Sequence, residues 1–243
     1  MTLFHRREVW LPTLRGSLLL LAIATVLVLA CARGAVAFMM LNEPARGPDG
    51  RGASTLVVEG WLDEAELDQA LAAARAGRYA RIVTTGGPIE AWARARNWSS
   101  FAARAADYLG TQMRPGDVAV IAVPAPAARQ DRTFLSAVAL RTWARGAGVR
   151  LDAIDLYSAG VHARRSAMVF RLALGPQSEV GILAAVPTDY DIARWWDSSS
   201  GAKTVIGEAL GLAWTACCFW PPAPGAETGP AADPKPRAKD TAP

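Results

Sequence analysis

A chain of 243 residues that is 51% hydrophobic and 20% charged has the material for one globular core with extensions, so disorder of the whole is excluded. The formal net charge is +4, but residues 1–41 carry four Arg against one Glu and residues 221–243 carry as many acids as bases, which leaves the middle of the chain nearly neutral. That balance gives no clustered basic face of the kind nucleic acid requires, and no nucleic-acid partner is expected.

Residues 1–15 form a short basic head containing His5, Arg6, Arg7 and Arg15. From Gly16 to Ala32 there follow 17 residues without a charge, GSLLLLAIATVLVLACA. At ~1.5 Å per residue a helix over them covers ~26 Å. AVAFMML continues the run beyond Arg33, whose long side chain can snorkel to an interface, so 16–41 reads as a single-pass membrane anchor. Two other readings stay open. Ala35-Val36-Ala37 resembles a signal-peptidase site, and Val28-Leu29-Ala30-Cys31 is a poor lipoprotein box because Leu29 is bulky for its position. All three export the domain. Basic residues ahead of the span put the N-terminus in the cytoplasm and the domain on the periplasmic, extracytoplasmic side of the inner (plasma) membrane.

Residues 42–53, NEPARGPDGRGA, are rich in Gly, Pro and charge and read as a short linker. The pattern then becomes rhythmic. STLVVEG is an apolar strand, and DEAELDQALAAARAG has helical spacing with acids in its first turn and Gly77 at its end. ARIVTTGG is a second strand, 94–110 a helix, GDVAVIAVPA a third strand and RTFLSAVALRTWARGAG a third helix. The strand VRLDAIDLYS, a helix after His162, the strand EVGILAAV and a last helix from about Lys203 to Phe219 complete the series. Strands without alternation, each followed by a helix, predict an α/β fold over 54–220: a Rossmann-like three-layer sandwich with a mainly parallel five-stranded sheet. Ligands in such folds sit at the carboxyl ends of the strands. The tail 221–243 is too poor in large apolar residues to order itself. Just before it, AWTACCFWPP either rests on a bilayer interface or packs on the sheet. The adjacent Cys217 and Cys218 read as small apolar residues in a helix, because a bridge between neighbours is strained, and Cys31 lies in the apolar run.

The candidate chemistry lies on the strand-end loops. Gly86-Gly87 allow close backbone approach to a ligand, or simply serve a turn with positive φ. No GxGxxG or GxxxxGK[ST] motif is present, so no nucleotide site is claimed and no cofactor is expected. Between the third strand and its helix stand Arg129, Asp131, Arg132 and Thr133; Asp131 or Thr133 could cap the helix, while Arg132 and Thr133 could hold an anion at its N-terminus. His162 and Arg165 are three apart and share a helical face. Asp189, Tyr190 and Asp191, before Trp195-Trp196, could wall a pocket or pack on the surface. Glu208 stands in an otherwise apolar helix, where a charge needs a partner, and an arginine from a neighbouring loop is the expected one. No cysteine, histidine or carboxylate spacing marks a metal site.

The order TTGG, then DRT, then SxxxHxRRS, then a GEA-containing terminal helix resembles the YdcF/SanA/ElyC family of membrane-anchored envelope proteins, from about Ser54 to Trp220. On that resemblance Gly86, Gly87, Thr133, Ser158, His162, Arg165 and Glu208 match the family's motif positions. Glu59-Gly60-Trp61 replaces a further glycine run after the first strand, and SAGVHARRS lacks the family's more usual Thr-Ser-x-Tyr before the histidine. The resemblance implies a role in cell-envelope biogenesis, connected with peptidoglycan, its lipid carriers or barrier function. The expected ligand is a phosphate-bearing, lipid-linked cell-wall precursor contacted by Gly86, Gly87, Arg132, Thr133, Ser158, Arg165 and Glu208, with His162 as general acid or base if the protein is an enzyme. A non-catalytic envelope factor that binds a partner protein is the rival class, and binding of an S-adenosylmethionine-like cofactor a third idea that fits the fold but sits poorly with export.

Overall fold

The structure is a computed structural model that describes residues 11–89, 98–114 and 118–221. The first ten residues of the basic head, the start of the helix expected at 94–110 and nearly all of the Pro/Ala-rich tail lie outside the described residues. The chain divides into two units, Met1–Phe38 and Met39–Pro243. The first holds most of α1 (Leu14–Met40), 27 residues whose most apolar 18-residue window has a mean hydropathy of 2.3 and no buried residue; Val36 and Met39, near its end, are buried. By length and composition α1 can cross a membrane.

In the second unit the chain alternates strictly: β1 (Thr55–Glu59), α2 (Glu64–Ala76), β2 (Arg81–Gly86), α3 (Phe101–Gln112), β3 (Ala119–Pro124), α4 (Arg132–Gly146), β4 (Ala153–Ala159), α5 (Ala163–Leu174), β5 (Glu179–Ala185) and α6 (Ser199–Cys218). The five strands form one parallel sheet in the order β3-β2-β1-β4-β5. The sheet is covered on both faces because its strands are apolar on both. Leu56, Val58 and Ile82 pack with Leu67, Leu71 and Leu109 from α2 and α3, whereas Val57, Val83, Leu156 and Ile182 pack with Phe134, Leu140 and Phe170 from α4 and α5. The Rossmann-like sandwich expected from the strand rhythm is therefore what forms. Winding reverses after β3, when the chain crosses back over β2 and β1 to lay β4 beside β1. The carboxyl ends of β1 and β4 thus flank the switch point, where open α/β sheets leave a crevice.

Local signals explain the element ends. Asp63 and Glu66 form a reciprocal capping box on α2, and Ser100 accepts from the Ala103 N–H at the start of α3. At α4 neither Asp131 nor Thr133 serves as the expected cap: Asp131 stands in the left-handed region (φ 55°) and makes no side-chain capping bond. The adjacent cysteines also differ from the sequence reading. Cys217 and Cys218 are joined by a disulfide at the last turn of α6. The helix stops there and Phe219 is extended (φ −78°, ψ 117°), so no further turn holds the backbone against the bridge.

The stretch read as a linker is bound to the sheet. Glu43 exchanges backbone hydrogen bonds with Ile182 of β5, Asn42 Oδ1 accepts from the Ala184 N–H at 2.8 Å, and the Arg46 N–H donates to Glu179 at 2.9 Å. Residues 42–46 therefore run antiparallel along β5, from its carboxyl end to its start. Gly181 makes room for them, since a Cβ there would lie 2.2 Å from the Ala45 nitrogen. Buried Asp155 anchors the same segment, accepting from the Ala45 N–H and from the Tyr79 hydroxyl, both at 2.7 Å.

Candidate functional site

One cavity of about 930 Å³ opens over the carboxyl ends of the strands. Its polar lining comes from four strand-end loops and α6: Glu59 after β1, Thr85 and Gly86 at the end of β2, Arg129 to Thr133 after β3, His162 and Arg165 after β4, and Glu208 from α6. Trp61, Phe101, Phe134, Trp214 and Phe219 supply an apolar wall.

His162 is held from one side. Its Nδ1 lies 2.9 Å from Glu208 Oε1, and Arg165 binds the same carboxylate through Nε at 2.7 Å and Nη2 at 3.1 Å. Arg165 Nη2 also lies 2.9 Å from Nδ1. Glu208 can only accept and Arg165 can only donate, so the role of Nδ1 turns on the tautomer; with the Nδ1 proton directed at Glu208, Nε2 is the nitrogen left free. Burial raises the Glu208 pKa, but the hydrogen bonds from His162 and then Arg165 outweigh it and hold the carboxyl down at about 2. The arrangement is that of an imidazole oriented by a carboxylate, which stabilises the imidazolium form once Nε2 takes up a proton.

The other carboxylate was not marked as a site residue by sequence. Glu59 ends the central strand, is 2% exposed, and lies 3.9 Å from His162 Nε2. The hydroxyls of Ser158 and Ser166 both donate to its Oε2, the latter at 2.9 Å. A charge closing the apolar run TLVVE on a strand buried throughout was the signal available. Trp61, also unmarked, stands edge-on to His162 with ring centroids 5.1 Å apart. Arg104 of α3 fixes this loop by donating to the carbonyls of Gly60, at 2.9 Å, and Leu62.

The remaining expected residues divide. Arg132, Thr133, Gly86 and Gly87 line the cavity. Gly86 has φ +151° and a Cβ there would meet Phe101 Cβ at 2.9 Å, so its freedom serves the packing of α3 as well as the ligand side. Ser158 is fully buried behind Glu59 and does not line the cavity. Asp189, Tyr190 and Asp191 do not line it either; Asp191 instead caps the 3₁₀ turn Ile192–Asp197.

Two features of the α4 side are open. The helix start lacks a side-chain cap, and Arg132, Thr133 and Phe134 of its first turn line the cavity beside Arg129. Thr85, 1% exposed and in the same lining, has a hydroxyl with no hydrogen-bond partner. A buried hydroxyl left without a partner costs about 1–3 kcal/mol, which a ligand oxygen would relieve. The cavity thus has a side where cations and carboxylates are paired, at His162, Arg165 and Glu208, and an α4 side lined by Arg129, Asp131 and Arg132. Among the described residues no group of three or more His, Cys, Asp or Glu is placed to hold a metal ion.

Fold and site together define a Rossmann-like α/β domain with a Glu–His–Glu–Arg cluster at its topological switch point. No protein-family model, no curated protein and no solved structure matches this chain, so the site is read from its own residues.

Proposed function

We propose that this chain is a membrane-tethered envelope protein, akin to the YdcF/SanA/ElyC family, whose exported domain binds a phosphate-bearing envelope precursor and uses His162 as general acid or base at the phosphate ester. The observation that carries the reading is the cavity's division: an uncapped helix start, Arg129, Arg132 and the unpartnered Thr85 hydroxyl stand across from a His162 oriented by Glu208. The charged, non-bridging phosphate oxygens belong on the α4 side, because Arg165 is already neutralised by Glu208 and Glu59 would repel an anion near His162 Nε2, so that only the ester oxygen is turned towards His162. On that placement Gly86 and Gly87 give backbone approach, Thr133 contributes its N–H, and Glu208 and Ser158 act through His162 and Glu59.

Export is supported by α1 and by the basic residues ahead of it. The test is turnover of polyprenyl phosphate and lipid-linked cell-wall precursors by the purified full chain. His162→Ala should leave the circular dichroism spectrum unchanged and lower the rate by ~10²–10⁴-fold, the usual worth of a positioned acid–base group. Saturable binding by the unaltered chain with no product would instead make the domain a recognition module.

A further inference from the structure

The last helix carries an outward surface of which only Trp214 borders the cavity. α6 has two charged residues, Lys203 and Glu208, and Glu208 is turned inward onto His162 and Arg165. Its outward face steps by four residues through Ile206, Leu210 and Trp214, which are 52%, 68% and 53% exposed, and Trp220 just beyond the helix is 85% exposed. Gly207, Ala213 and Cys217 fill the same exposed face. From Ile206 onward no charge interrupts it. A surface helix of a water-soluble domain carries polar residues on its outer face, so a continuous apolar stripe of this length marks a contact surface.

Two observations name what it contacts. The first is where the chain enters the domain. Asn42 and Glu43 lie at the carboxyl end of β5, and Arg164, 7% exposed at the start of α5, donates to Glu43 at 3.0 Å and to the Leu41 carbonyl at 3.3 Å. The next residue, Arg165, binds Glu208 in the middle of α6. One turn of α5 therefore joins the tether point to α6, and both stand at the end of the sheet where the cavity opens. The second is chemical. The stripe ends in Trp214 and Trp220, the side chain favoured at the boundary of headgroups and hydrocarbon, and Trp214 with Phe219 also lines the cavity.

We propose that the outward face of α6 lies on the lipid surface of the membrane in which α1 is anchored, so that the cavity mouth at Trp214 and Phe219 opens at the headgroup layer. This rests on reading α1 as an anchor, and it adds a source for the ligand. An amphiphile enters with its apolar part along Ile206, Leu210 and Trp214, without leaving the bilayer for water.

The test uses the full chain reconstituted in vesicles of phosphatidylethanolamine and phosphatidylglycerol, with p-benzoylphenylalanine replacing one residue at a time: Leu210, Val26 in α1, or Arg150. The first is on the stripe and the last is a remote exposed position. After irradiation, lipid adducts at position 210 should exceed those at 150 several-fold, with adducts at 26 confirming the anchor. Adducts at 26, with position 210 no better than 150, overturn the membrane face and leave the anchor standing. A protein adduct at 210, to a second copy or to the chain's own tail, overturns it equally. Absence of adducts at 26 removes the anchor and this inference together. None of these readings depends on phosphate binding, so failure of the site assignment would be seen separately.

Discussion

At the scale of single residues the site depends on which polar groups are matched and which are not. Glu208 is held in its charged form at about 2, against an ordinary 4.5, because the hydrogen bonds from His162 and Arg165 outweigh burial. A carboxyl lowered on folding stabilises the folded state in full above its unfolded value, and that contribution is lost as pH falls from about 4.5 towards 2. The difference corresponds to at most roughly 3 kcal/mol. Glu208→Gln should therefore lower stability at neutral pH by ~2 kcal/mol and flatten the loss between pH 4.5 and 2, as urea titrations across that range would show. Thr85 makes the opposite kind of case. Its hydroxyl bonds to nothing in the protein, so Thr85→Val should keep or raise the melting temperature while weakening phosphate binding in calorimetric titration. A fall in stability with unchanged affinity would show that the hydroxyl is not a ligand group.

Elements set the distances among those residues. β1 ends in Glu59 and β4 leads into His162; only because these strands are neighbours does the carboxylate come within 3.9 Å of the ring. α4 supplies its uncapped start where Asp131, in the left-handed region, makes no side-chain capping bond. Replacing Arg132 with Ala should raise the Kd for a phosphate ligand by roughly tenfold, the worth of one charged hydrogen bond, with little change in stability, since Arg132 is exposed. The strip along β5 depends on a missing side chain. Gly181→Ala puts a methyl group 2.2 Å from the Ala45 nitrogen and Asp155 Oδ1, so it should cost about 1–3 kcal/mol and speed hydrogen exchange at Ala45. Protection unchanged at Ala45 would mean the edge yields elsewhere.

For the molecule as a whole, topology is the decisive measurement. A reporter fused after Asp240 should be active only outside the cytoplasm if the basic residues ahead of α1 stay inside; cytoplasmic activity would reverse the orientation and reopen the cofactor alternative. Much of this architecture was legible in the chain. The runs STLVVEG, ARIVTTGG and EVGILAAV, the helical spacing between them and the uncharged stretch Gly16–Ala32 are patterns carried by neighbours in sequence, and periodicity reads them directly. His162, Arg165 and an arginine partner for Glu208 were legible too, as a charge in an apolar helix and cations after a buried strand. What could not be read is which polar groups meet. Glu59 looked like a departure from a motif and proved to face His162; Ser158 looked like a ligand group and proved to support Glu59; 42–46 looked like a tether and proved to be an edge segment. Those outcomes follow from strand order, which places β4 beside β1 rather than β3, and strand order is chosen by how whole faces pack. Local sequence determined the elements, because each needs only its own residues; tertiary structure decided the site, because each of its bonds joins residues that only that packing brings together.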